Sequence, residues 1–89
     1  PFGLPVGKRA VNWDAWASGL KLRQAVVAKL AQKHGAVLVP FQRAFDEAAK
    51  RAPATHWIWD GVHPTYSGHQ VMADEWERAV RAAWPAGGR

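Results

Sequence analysis

Eighty-nine residues with a mass of 9.8 kDa make one small domain or a piece of a larger one, and 48% hydrophobic against 21% charged residues is globular usage that excludes a disordered chain. There is no cysteine, which excludes disulfide staples and thiolate zinc sites, and no apolar run approaches the roughly 20 residues that span a bilayer. The net charge of +5 is uneven, with nine Lys/Arg and three Asp/Glu in residues 1–51 but three and four in residues 52–89.

In chain order, Pro1-Phe-Gly-Leu-Pro-Val-Gly7 has no charged region ahead of an apolar core, so it is not a signal peptide. It reads as the end of a strand running into a loop, and a start at Pro1 without methionine is expected of a processed chain or a fragment. Asn12 or Asp14 is placed to cap a helix from about Trp16 to His34, with Leu20, Val27, Leu30 and Ala31 on its apolar face and Leu22 and Val26 widening it. Gly35 supplies the left-handed residue that ends a helix. Ala36-Val-Leu-Val-Pro40 is a short continuous apolar run, the pattern of a strand buried on both faces in a parallel sheet. Such a strand needs neighbours, expected in sequence outside these residues; the alternative is an all-helical arrangement in which Val37–Val39 is a connector. A second helix is expected over Gln42–Arg51 with Phe41, Phe45 and Ala48 or Ala49 inward. An irregular aromatic stretch follows over 53–65. The last helix runs from about Ser67 to Trp84, with Met72, Trp76, Ala79 or Val80 and Ala83 on one face and Asp74–Arg78 and Glu77–Arg81 paired on the other. Pro85 and the Gly-Gly-Arg tail end it.

Chemistry concentrates in Asp60-Gly-Val-His63-Pro-Thr65. Gly61 lets the chain fold back, so the Asp60 carboxylate can reach the Nδ1 proton of His63 within one loop. That bond fixes the tautomer, leaves Nε2 free as a proton acceptor and stabilises the imidazolium once formed, which is the base-and-orienter half of a Ser-His-Asp triad. Pro64 stiffens the loop, and Thr65 or Ser67 opens the amphipathic helix as its N-cap.

The run from Trp57 to Trp76, with Asp-Gly-Val-His-Pro-Thr followed two residues later by Gly-His, resembles the last conserved block of the SGNH/GDSL hydrolases, a family of esterases, lipases and carbohydrate deacetylases. The preceding helix, apolar run and second helix follow the family's order of elements. The resemblance covers nearly the whole chain and implies the C-terminal portion of such a domain: an α/β fold, part of a three-layer α/β/α sandwich with a parallel sheet, helix-rich here. It further implies ester hydrolysis through an acyl-serine without cofactor or metal, Asp60 as triad acid and His63 as triad base. The family's Gly-Asp-Ser nucleophile and its glycine and asparagine oxyanion donors have no counterpart. Ser18 and Ser67 lie in helical contexts, and Asn12 sits in an unmatched Val-Asn-Trp setting. The 89 residues alone are therefore expected to be inactive, completed by an N-terminal part of the domain or a complementing chain.

Trp57, Trp59 and Val62 are the candidate substrate contacts for a small ester or an acetylated carbohydrate, with core anchoring of the loop as the alternative for the two tryptophans. Trp13, Trp16, Trp76 and Trp84 are expected in a core or interface. His56, Asp60, His63 and His69 invite a zinc site, but their spacing lacks an i,i+4 ligand pair, and no metal is expected. His34, at a helix C-terminus, suits the dipole there. The competing functional reading is a non-catalytic, α-rich basic module that binds a protein or nucleic acid. Against nucleic acid, Lys21, Arg23, Lys29 and Lys33 are strung along a helix without interleaved aromatics.

Overall fold

The computed structural model describes residues 1–84. Their order is α1 (Lys8–Val11), α2 (Trp13–His34), α3 (Phe41–Ala48), α4 (Ala54–Trp57) and α5 (Tyr66–Ala83). Pro85 and the tail lie outside the described residues. No described helix is long and apolar enough to cross a membrane.

The expected α/β sandwich with a parallel sheet is corrected. Among the described residues there is no strand, only an isolated antiparallel bridge between Ile58 and Pro64. Ala36-Val-Leu-Val39 has no regular structure and joins no ladder, and Leu38 is 44% exposed. An apolar run becomes a strand only where a second chain segment takes up its N–H and C=O groups, and among the described residues none does. The connector reading of Val37–Val39 therefore describes the arrangement.

Local signals place the helix ends. Gly35 has φ 64°, with Ala36 N–H bonded to Ala31 O (2.8 Å) and Gly35 N–H to Gln32 O (3.4 Å), a Schellman closure of α2. Asn12 precedes α2 but makes no side-chain cap. Thr65 caps α5, accepting from Gly68 N–H at 3.1 Å. On α5 the Glu77–Arg81 pair forms at 2.8 Å, whereas Arg78 turns to Glu75 and Asp74 accepts from Gln70.

The core is small. Leu4, Val6, Phe45 and Ile58 are buried together, with Phe2, Trp57, Val71 and Met72 packed around them. The opening segment, expected as a strand end, is instead an irregular tie. Gln42 donates to Gly3 O (2.9 Å) and accepts from Gly3 N–H (2.8 Å), which seats Leu4 and Val6 against α3 and the loop before α5. Phe2 packs on Phe45 with ring centroids 4.9 Å apart. The expected inward face of α3 holds at Phe45 and Ala48.

One expected face does not hold and another holds in part. On α2 only Leu20 is buried, and Leu22, Val26, Val27 and Leu30 are exposed. On α5 the expected face holds at Ala79, which is buried, and at Met72, which packs on the core, but Trp76 and Ala83 are exposed. Trp84 is exposed too, and Trp13 and Trp16 are half-buried against each other.

Candidate active site

The site is one tight loop between α4 and α5. Trp59 N–H donates to His63 O (3.1 Å) and Thr65 N–H to Trp57 O (2.9 Å), so the two limbs of the loop run side by side. Ile58, fully buried between the two tryptophans, anchors the incoming limb in the core. Thr65 anchors the outgoing limb. Its hydroxyl lies within donating distance of His56 O (2.6 Å) and Trp57 O (3.1 Å) and caps α5.

Within the loop the backbone closes on the Asp60 side chain. Oδ1 accepts from the N–H groups of Val62 (3.0 Å) and His63 (2.8 Å), and Oδ2 faces His63 Nδ1 in a short hydrogen bond. Gly61 adopts φ 102°, a backbone shape that L side chains rarely take, and this lets the chain reverse over so few residues. Partial desolvation pushes the Asp60 carboxyl up. The two backbone N–H groups and the His63 ring outweigh it and bring the carboxyl from 3.8 to about 2. Asp60 is thus an anion that orients the imidazole. The His63 side chain is 66% exposed and Asp60 26%, so the carboxylate lies behind and the imidazole in front. Among the described residues no side chain hydrogen-bonds Nε2 of His63.

The two candidate tryptophans separate. Trp59 is 63% exposed and stacks on the His63 ring, with centroids 5.6 Å apart and planes 28° apart. Trp57 is half-buried, donates Nε1–H to Ala52 O (3.2 Å), lies under the Arg51 guanidinium and packs on the core. Trp57 is the loop's anchor and Trp59 its outer wall. Val62 contributes its backbone N–H to Asp60 and is half-buried.

His56 and His69 are exposed and do not join the pair. His56 sits edge-on to Trp57, and the first turn of α5 carries His69. Among the described residues no group of three or more His, Cys, Asp or Glu is placed to hold a metal ion. Ser18 lies on α2 and Ser67 in the first turn of α5, and neither hydroxyl hydrogen-bonds His63.

Sequence reading missed Arg9. It donates to Asp60 O at 2.9 Å from α1, 51 residues upstream. No local signal marks it, because its partner is fixed only by the tertiary arrangement.

Residues of this chain are 32% identical over 59 positions to an acetylxylan esterase of Geobacillus stearothermophilus. The match takes in 66% of this chain and 27% of that protein, so the chain spans little more than a quarter of the relative's length. No family profile matches the chain, and no solved structure does.

Proposed function

We propose that this chain carries the acid–base half of a carboxylic ester hydrolase, acting on acyl esters or acetyl esters of carbohydrates. One observation carries the reading: Asp60 holds the mostly exposed His63 by Nδ1 and leaves Nε2 without a hydrogen-bond partner among the described residues, the arrangement that general-base activation of a hydroxyl requires. The similarity to an acetylxylan esterase supports ester hydrolysis and an acetylated sugar as substrate. The Asp-Gly-Val-His-Pro-Thr block fits an SGNH/GDSL-like enzyme.

Nε2 of His63 accepts the proton of a serine hydroxyl as its oxygen attacks the acyl carbon. The imidazolium, steadied by Asp60, then returns the proton to the departing alcohol. In the second half His63 takes a proton from water, which cleaves the acyl-serine, and passes it back to the serine oxygen. Neither serine of this chain is bonded to the base, so the nucleophile and the oxyanion donors come from residues outside these 89 or from a complementing chain. Most of the rate enhancement depends on them. Trp59, stacked beside the base and exposed, offers a flat apolar face to a sugar ring or an acyl group.

The test is hydrolysis of p-nitrophenyl acetate and of acetylated xylan. The 89 residues alone are expected to be inactive and a version extended by the upstream coding sequence active. His63→Ala in the extended protein is expected to reduce kcat by roughly 10²–10⁴-fold. An unchanged rate in that variant would remove His63 from the reaction. Activity of the 89 residues alone, abolished by His63→Ala, would show that the nucleophile lies within them.

A further inference from the structure

Arg9 meets the catalytic loop from the far side of the chain. Its guanidinium donates to the main-chain carbonyl of Asp60 (2.9 Å) and leaves the carboxylate to His63. The same group lies over the Trp16 ring, 5.4 Å from its centroid, and Trp16 in turn rests on Trp13 with centroids 5.4 Å apart. A guanidinium stacked on an indole keeps its donors in a fixed plane, which a freely rotating ammonium does not.

The aliphatic stem of Arg9 covers Gly61 so closely that a Cβ there would stand 2.6 Å from Arg9 Cδ. On the same side Leu4 N–H donates to Gly61 O (3.1 Å), and Gly3 has no room for a Cβ between the Trp16 ring and that oxygen. The carbonyls on either side of Gly61 are thus both held, that of Asp60 by Arg9 and that of Gly61 by Leu4. A backbone rotation at Asp60 would move the Val62 and His63 N–H groups, and the His63 ring with them, relative to the carboxylate that accepts from them.

We propose that Arg9 is a positioning residue for the Asp60–His63 pair: stacked on Trp16, it holds the Asp60 carbonyl and so keeps the carboxylate on Nδ1 of His63. The proposal rests on the ester-hydrolase reading for its consequence in catalysis, but its structural content is independent of any turnover. A group that merely packs would influence stability alone. A positioning group also governs the tautomer and the exchange of the imidazole proton.

Histidine-selective ¹⁵N NMR of the full-length chain provides the readout. In the unaltered protein, neutral His63 is expected to carry its proton on Nδ1, protected from water by Asp60. Asp60→Asn is the reference and is expected to abolish that protection. Arg9→Met keeps a stem against Gly61 and removes the donor. It is expected to speed exchange of the Nδ1 proton by about tenfold and to bring the second tautomer into view. Arg9→Lys, with the charge but without the planar stack, is expected to restore part of the protection. Should Arg9→Met not fold, Trp16→Phe weakens the stack alone and is expected to move the same signal in the same direction.

A lowered melting temperature in Arg9→Met or Trp16→Phe with the His63 tautomer and exchange unchanged would overturn the proposal. No change in Asp60→Asn would overturn the pair itself, and the proposal with it. Absence of ester hydrolysis in the protein extended by the upstream coding sequence, alongside the expected NMR changes, would overturn the functional reading and leave the positioning role standing.

Discussion

The loop's own N–H groups and the His63 ring are arranged around the Asp60 carboxyl and favour its charged form, and this has a consequence in acid. Its carboxyl sits at about 2 in the folded chain against 3.8 ordinarily. The folded value is depressed, so the stabilisation is fully present above about pH 4 and is lost as pH falls from there towards 2. Acid unfolding followed by circular dichroism should therefore steepen in that window, and Asp60→Asn should flatten it. A curve that Asp60→Asn leaves untouched would mean the loop is not held by the carboxylate. The two tryptophans beside the loop divide along the same lines. Trp57→Ala should cost about 2–4 kcal/mol of stability, since the half-buried ring packs on the core and its Nε1–H bond is lost too. Trp59→Ala should leave the melting temperature nearly unchanged and, in an active enzyme, raise KM by roughly two- to tenfold with a smaller effect on kcat. Equal effects on stability would erase the distinction between anchor and wall.

At the scale of elements, the site depends on how closely α5 approaches α4. Gly68 is buried in the first turn of α5, and a Cβ there would stand 2.0 Å from Trp57 O, a main-chain atom that cannot swing aside. Gly68→Ala must push the two helices apart at the point where Thr65 joins them. The expected cost is about 2–3 kcal/mol in urea unfolding. Thr65→Ala should cost about 0.5–2 kcal/mol through the lost cap, and Thr65→Ser should recover most of it. If Gly68→Ala were neutral, the helices would have room that the packing does not show. These junctions were legible in the sequence because they are local. The Thr65 cap, the Gly35 stop and the Asp60–His63 spacing each involve partners within five residues. α1 and α4, at four residues apiece, are too short for periodicity to register. The apolar run at Val37–Val39 reads as a strand because a continuous apolar stretch reports what a segment is willing to bury, whereas a strand also requires a partner that composition cannot supply. Arg9 was illegible for a related reason: a surface arginine on a one-turn helix looks like any other until the fold brings Asp60 to it.

On the scale of the whole molecule, stability is unevenly distributed, and α2 is where it is thinnest. The buried cluster draws on the opening segment, α3, the loop and α5, while α2 contributes Leu20 alone to the buried set. Beyond Leu20 the Gln24 amide donates to Pro1 O (3.0 Å) and to Gln42 Oε1 (3.3 Å), but Leu22, Val26, Val27 and Leu30 are exposed, so the last turns rest mainly on their own hydrogen bonds and on the Gly35 closure. A helix supported this way is marginal in water, because packing of an apolar face supplies most helical stability in proteins. Native-state hydrogen exchange should therefore find the amides of residues 24–34 opening at much lower free energy than those of α3 and of the first three turns of α5. Truncation should repeat the pattern. Leu22→Ala or Leu30→Ala should change stability by no more than about 0.5 kcal/mol, and Ile58→Ala, at a fully buried site, should cost about 2–5 kcal/mol. Equal protection along α2 and α5, or a cost above about 2 kcal/mol for Leu30→Ala, would require that the outer face of α2 be covered in solution. The site would be little affected in either case, because the residues that position Asp60 from this side are Arg9 and Trp16, at the beginning of α2 and just before it, where the helix touches the rest of the chain.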